Sequence, residues 1–440
     1  MQSPHLLDRW RETVRRAPAA LAVIDGTTGR HWTRAELAAA ADAWCRTHTA
    51  ARALAGRRVL MAEPNGAAWL HVFLGLLEAG AIPIPADSTE PAAALAAQAH
   101  NLRAAALWHA GKLSPFPGAT RHRRSGLCLL KLTSGSTGVP KALAFTHAQM
   151  LADGRQICAS MGIGPGDLNL AVIPLGHSYG LGNLVVPLLA QGTALACPAS
   201  PLPQALAADI ARWQPTVFPA VPTLLRALVR SEIDPAQLAS LRLVISAGAA
   251  LPADLAAAFA ARFRRRIHNF YGASETGGIC YDRTGDATLT GRSVGTPLEG
   301  VRLTFRRGRR FSVASPAVGG RGRFSPADRG DLDPAGELRL LGRTGRTVKI
   351  AGRRLDPAEV EQALLTLAGV RSACVFAHPQ RADALAAAVA SDRTGGELRT
   401  ELATRLAPWK IPARILALPE LPATARGKVD RRAVMALFGS

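Results

Sequence analysis

The chain of 440 residues carries 53 Lys+Arg against 32 Asp+Glu, a formal charge of +21, and is 48% hydrophobic but only 5% aromatic. That apolar fraction supports packed cores and excludes a disordered or fibrous chain, and at ~100–200 residues per domain the length predicts two to four domains. Six cysteines with no short pairing argue against a disulfide scaffold or a Cys-based zinc site and predict a reducing, cytoplasmic setting.

The N-terminus lacks the charged start and apolar run of a signal peptide, so no leader is expected. The most apolar region, residues 170–197, is interrupted by His177, Ser178, Asn183 and Gln191 and reads as core and site lining rather than a membrane span. Only six of the 53 cations are lysines, a bias typical of a GC-rich coding sequence. The excess still favours anionic partners. No helix-turn-helix, zinc finger or aromatic-studded RNA motif is present, so nucleotides, coenzyme A or an acidic carrier protein are expected, and nucleic acid is not. The arginine runs at 121–124, 262–266 and 302–310 read as solvated faces.

In chain order, residues 36–47 predict a helix capped by Thr33 with Glu36 three residues on, 58–61 a buried strand, 67–79 a helix ended by Gly80, and 81–84 a strand. This alternation is the grammar of a parallel sheet covered by helices. It recurs with strands over 170–174, 216–218 and 243–245 and helices over 203–213, 221–230 and 252–264, while 294–341 is strand-rich. The fold class expected is therefore α/β: a large N-terminal domain of helix-covered β-sheets with a β-rich subdomain, then a small α+β domain. The style changes near Gly342, which sets the domains at residues 1–342 and 343–440. In the second, 347–350, 370–377 and 414–418 predict strands, and 356–359 and 396–406 helices, the first with Pro357 at its opening position.

Four segments carry chemistry. Behind the strand Leu129-Leu130-Lys131-Leu132 comes Thr133-Ser134-Gly135-Ser136-Thr137-Gly138-Val139-Pro140-Lys141. Glycines let successive N–H groups converge on an anion, hydroxyls add donors and Lys141 adds a point charge; the spacing is not that of a Walker loop. The second, Asn269-Phe270-Tyr271-Gly272-Ala273-Ser274-Glu275-Thr276-Gly277-Gly278, offers Tyr271 as a flat face for a base and Glu275 as an oxygen ligand for Mg²⁺. The third runs from Asp328 through Gly336-Glu337-Leu338 to Arg343, and the fourth is Arg426-Gly427-Lys428-Val429-Asp430, a lysine in a glycine-flanked loop.

Together and in this order, these segments resemble the adenylate-forming superfamily of acyl- and aryl-CoA synthetases, nonribosomal-peptide adenylation domains and firefly-type luciferases, over nearly the whole chain. The resemblance implies an AMP-forming acid–thiol ligase. A carboxylate attacks the α-phosphate of ATP, giving an acyl-adenylate and pyrophosphate; a thiol then takes the acyl group and releases AMP. A mobile C-terminal domain serves both halves. By position, Thr133, Ser134, Gly135, Ser136, Thr137, Gly138 and Lys141 would hold the phosphates, and Tyr271, Gly272 and Ser274 the adenine side. Asp328 and Arg343 would take the ribose, Glu275 would bind Mg²⁺, and Lys428 would bridge the carboxylate and α-phosphate. His177, Ser178, Tyr179, Ser246, Gly248 and Ala249 would line the acid pocket. Ser274 replaces the usual Thr, Gly345 the usual acidic hinge residue, and Asp331 rivals Asp328 for the ribose.

An amino-acid-activating domain needs an acidic residue to pair the substrate ammonium, and Pro174-Leu175-Gly176-His177-Ser178-Tyr179-Gly180 has none. An uncharged fatty or aryl acid is therefore expected. The thiol is expected in trans, from coenzyme A or the phosphopantetheine of an acidic acyl carrier protein. The alternative is an ATP- or AMP-binding scaffold or sensor without turnover.

Overall fold

The computed structural model describes residues 5–48, 53–116, 126–133, 141–319, 322–343, 347–422 and 429–438. By internal packing they form two compact units. One takes in Met1–Ala86, Ala99–Leu132 and Ala142–Thr344, and the other includes Gly345–Ser440 and the segment Asp87–Gln98.

The larger unit is built on a nine-stranded sheet. Its centre is parallel, in the order Ile267–Ala273, Leu243–Ser246, Val217–Ala220, Leu168–Leu170, Ala194–Cys197, Leu21–Asp25. Antiparallel strands close the edges: Gly277–Tyr281 and Thr296–Pro297 on one side, Arg30–Thr33 on the other. Four-residue strands such as Val217–Ala220 and Leu243–Ser246 are buried along their whole length, as a sheet covered on both faces requires. The connecting helices show local start and stop signals. Thr33 accepts the Glu36 amide and the Glu36 carboxylate accepts the Thr33 amide, closing a capping box ahead of Arg34–Thr47. Pro203 opens Pro203–Trp213 at a position where no amide proton is needed.

A four-stranded sheet places Ile82–Pro85, Arg58–Ala62 and Ala106–His109 in parallel with Lys112–Pro115 antiparallel. Helix Ala67–Glu78 begins at Gly66, whose φ of +154° and closeness to the Asp25 carboxylate leave no room for a Cβ. That carboxylate accepts the Ala67 amide at 3.0 Å. The β-rich part holds Arg302–Arg306, Arg310–Ala314, Asp328–Leu332 and Leu338–Arg343, with Arg323–Phe324 beside the second.

Two expectations are corrected. The strand placed at 170–174 is Leu168–Leu170. Beyond it the chain leaves the ladder because Asn65 takes over as partner, donating to the carbonyls of Ala171 and Ile173 and accepting the Leu175 amide. The arginines at 262–266 are also not simply solvated. Arg262 donates to the carbonyls of Val229, Ser231 and Ile233, satisfying the end of helix Pro222–Arg230, and Arg265 donates to those of Ala239 and Leu241.

The smaller unit has a three-stranded sheet, Val370–Ala377, Leu385–Ser391 and Arg414–Leu418. Helices Pro357–Leu365 and Gly395–Ala403 pack on it through Val360, Leu364, Leu398 and Leu402. Inside this unit Lys410 is buried between two carboxylates, Glu90 and Glu359. Glu90 also accepts the Ala407 amide, and Asp87 pairs with Arg353 and accepts the Trp409 indole N–H at 2.7 Å. Burial works against the Lys410 ammonium, but the two carboxylates outweigh it and raise its pKa, while burial raises that of Glu359.

Candidate active site

In a parallel sheet the loops at the carboxyl ends of the strands share one edge, where ligands of open α/β folds bind. Three of the sequence-predicted segments leave that edge: the 171–180 stretch after Leu168–Leu170, Ala247-Gly248-Ala249 after Leu243–Ser246, and the turn after Ile267–Ala273.

The last is a tight hairpin. Thr276 donates its amide to Ala273, closing a four-residue turn with Ser274 buried and Glu275 half-buried at its tip. Two glycines shape it. A Cβ on Gly272 would lie 2.6 Å from the Gly277 carbonyl, and Gly277 sits at φ +72° against Asp153. Asp153, on helix His147–Met161, accepts the Gly278 amide at 3.0 Å and so fixes the returning strand.

Tyr271 and Asp328 meet directly. The Tyr271 hydroxyl donates to the Asp328 carboxylate at 2.8 Å, and both side chains are buried. Asp328 also lies opposite Arg343 in the antiparallel ladder, which brings the backbones of two expected ribose residues together. The Arg343 side chain is outside the described residues. Asp331, the rival, is held by Arg309 at 3.3 Å and Arg339 at 2.9 Å.

The acid loop is braced from below. His177 accepts the Tyr179 amide at 3.3 Å and starts the short helix Ser178–Gly180, and the buried Tyr179 hydroxyl donates to the Ile245 carbonyl at 3.4 Å. A π-helical turn, Leu181–Val185, follows; such turns are frequent at functional sites. Ser246 ends its strand with a buried hydroxyl that has no hydrogen-bond partner among the described residues, and Gly248 turns the chain at φ +87°. Ser178, Gly248 and Ala249 are half-buried.

Thr133 ends the strand Leu127–Thr133, which pairs with Lys141–Thr146. Ser134, Gly135, Ser136, Thr137, Gly138, Gly345 and Lys428 lie outside the described residues, as does the side chain of Lys141. Sequence reasoning missed Asn65, Asp153 and Lys131. Lys131 had a local signal, a charge inside an apolar strand; Asn65 and Asp153 act on residues more than a hundred positions away.

Comparison with known proteins gives the family. The model for AMP-binding enzymes matches residues 10–125 and 114–305, and that for their C-terminal domain matches 359–428. The chain belongs to the AMP-binding enzyme family, within the adenylate-forming superfamily. It is 27% identical to the feruloyl-CoA synthase of Amycolatopsis sp., over 97% of each chain. It is 30% identical to the benzoate–CoA ligase of Thauera aromatica, over 69% of this chain and 64% of that one. A 2-hydroxy-7-methoxy-5-methyl-1-naphthoate–CoA ligase of Streptomyces carzinostaticus is 28% identical, with 63% of its length spanned. Among solved structures, the amide bond synthetase McbA from Marinactinospora thermotolerans superposes with a TM-score of 0.83 at 22% identity, over 99% of this chain and 100% of that one. These neighbours share the mixed α/β architecture of a large N-terminal and a small C-terminal domain. No helix among the described residues of this AMP-binding enzyme is long and apolar enough to cross a membrane.

Proposed function

We propose that this enzyme is an AMP-forming acid–thiol ligase. It joins an uncharged aryl or fatty acid to ATP as an acyl-adenylate with release of pyrophosphate, then passes the acyl group to a thiol with release of AMP. The observation that carries this reading is the Tyr271–Asp328 junction beside the Glu275 hairpin, with Tyr271 and the hairpin inside residues 114–305 matched by the family model. Aryl-CoA ligases among the relatives support coenzyme A as the acceptor. The non-canonical nonribosomal peptide synthetase CymA of Salinispora arenicola, 28% identical over 98% of this chain but 6% of its own, keeps a carrier-protein phosphopantetheine in view.

In this reading Tyr271 and Asp328 orient the nucleoside, and Thr133, Ser134, Ser136, Thr137 and Lys141 hold the phosphates. His177, Ser178, Tyr179 and Ser246 shape the acid pocket. Lys428, within the domain expected over 343–440, would act on the carboxylate and the α-phosphate and offset the charge that builds there. Among the described residues no cluster of three or more His, Cys, Asp or Glu is poised to hold a metal alone. A single half-buried carboxylate such as Glu275 nevertheless suits Mg²⁺, which takes one or two carboxylates and completes its shell with substrate phosphates and water. When bound, Mg²⁺ neutralises phosphate charge.

The test is ATP–pyrophosphate exchange with a panel of benzoates, cinnamates, fatty acids and amino acids. Exchange with aryl or fatty acids and not with amino acids is expected; exchange with amino acids alone would overturn the assignment of acid class.

A further inference from the structure

Lys131 is an ammonium within the apolar strand Leu127–Thr133, and its side chain is 2% exposed. Burying a charge is expensive unless it is paired and hydrogen-bonded. Its surroundings do not saturate it. Nζ lies 3.3 Å from Ser178 Oγ, 3.9 Å from Asp153 Oδ2 and 4.2 Å from the centre of the Phe145 ring. Of three N–H donors, one has an acceptor within hydrogen-bond reach among the described residues. Asp153 is equally incomplete: its Oδ1 accepts the Gly278 amide, and its Oδ2 has no hydrogen-bond partner among the described residues. Burial pushes the Lys131 ammonium pKa down and the Asp153 carboxyl up.

The direction of the Ser178 hydroxyl follows from this. A lysine only donates, so Ser178 Oγ accepts from it, and the hydroxyl hydrogen points to another acceptor. Ser178 is half-buried on the 174–180 loop whereas the Lys131 side chain is 2% exposed, so a ligand can reach the hydroxyl and not the ammonium. Because Lys131 and Asp153 together carry no net charge, a neutral oxygen suits this donor better than a second carboxylate.

We propose that Lys131 and Ser178 form a donor relay selecting acids whose acyl body carries a neutral oxygen acceptor, a hydroxyl, ether or ketone, over the matching hydrocarbon acids. Ser178 makes the contact and Lys131 is a positioning residue that fixes its proton. The inference rests on the acid-activation reading and names the substrate class within it.

The test compares kcat/KM in ATP–pyrophosphate exchange for matched acids: benzoate with 4-hydroxybenzoate and 4-methoxybenzoate, and hexanoate with 5-oxohexanoate. Wild type is expected to prefer the oxygenated member of at least one pair by roughly tenfold to a hundredfold, the range of a hydrogen bond to a charge-assisted group. Ser178→Ala should bring that ratio close to one, and Ser178→Thr, which keeps the hydroxyl, should retain it. The double variant Lys131→Met with Asp153→Asn leaves no stranded charge and should lose the ratio while keeping its Tm within a few degrees. If that double variant does not fold, the two Ser178 variants decide. A wild-type ratio near one in every pair, or a preference that survives Ser178→Ala, overturns the relay. Exchange with none of these acids instead refutes the acid-activation reading, and the relay falls with it.

Discussion

The hydroxyl of Tyr271 donates to the carboxylate of Asp328 at 2.8 Å, joining the end of a parallel strand to the β-rich part of the same unit. Two residues expected to contact the nucleoside are therefore one element. Tyr271→Phe keeps the ring and removes the donor, and is expected to raise the KM for ATP roughly tenfold, the scale of one hydrogen bond to a charged group. An unchanged KM in Tyr271→Phe together with a large loss in Tyr271→Ala would show that only the ring matters.

Glu275 sits at the tip of the 273–276 turn, where a neutral amide of the same shape would fit. Glu275→Gln is expected to leave the circular dichroism spectrum and Tm near wild type and to raise the Mg²⁺ concentration needed for half-maximal exchange by tenfold or more, since an amide is a poor ligand for a hard cation. A normal Mg²⁺ titration would remove Glu275 from the metal site.

Lys428 is expected to act in one half-reaction. Lys428→Ala should slow acyl-adenylate formation by roughly 10²–10³, the effect of losing one charge-stabilising donor. Given preformed acyl-adenylate and thiol, it should still make thioester near the wild-type rate. Single-turnover measurement of both halves checks this, and an equal loss in both would withdraw the role.

Glycine at 277 answers to two constraints, and a comparison separates them. Gly277 and Gly29 have similar φ, +72° and +70°, but a Cβ at 277 would lie 2.1 Å from Asp153 Oδ1 while nothing lies within 4 Å at 29. Gly29→Ala should cost about 1 kcal/mol from backbone strain alone, and Gly277→Ala about 3 kcal/mol or more once overpacking adds to it. Urea unfolding of both variants gives the difference; equal costs would mean that Asp153 yields freely.

His147 predicts the response to acid. It starts helix His147–Met161 inside the core, accepts the Leu6 amide on Nδ1, and packs against the His5 ring, tilted by 30° with ring centres 3.5 Å apart. Burial, then the neighbouring His5, lowers its pKa to about 4 from 6.5, against a smaller opposing pull from Asp8. The native state thus binds fewer protons than the unfolded chain between these values. The stability from neutral His147 is fully present above pH 6.5 and is lost as pH falls toward 4. His147→Asn offers an oxygen to the same amide and does not titrate, so its Tm should fall less than that of wild type over this interval.

What was legible in the sequence was local. Thr33 and Glu36 announce their helix because both halves of the capping box lie within four residues, and Pro203 announces the next by its fixed φ. Tyr271 and Glu275 stood out as residue types that glycines hold in a turn. The contacts that finish the site were not legible, because their partners are remote. Asn65 replaces a strand neighbour for residues 171–175, Lys131 meets Ser178 across 47 positions, and Arg262 finds its acceptors about thirty residues upstream. A buried lysine and a surface lysine are the same letter until the fold decides which neighbours desolvate it.

The Lys410 cluster has a consequence for protein engineering. Two of its acceptors, Asp87 and Glu90, lie more than 250 residues upstream of the Arg353, Ala407, Trp409 and Lys410 that they meet. A genetic cassette cut at residue 345 would therefore carry Lys410 with Glu359 but without Glu90, and Trp409 and Arg353 without Asp87. Chimaeras that graft the terminal hundred residues of a relative onto this chain should be stable only when the helix-bearing 87–98 insert is exchanged with them.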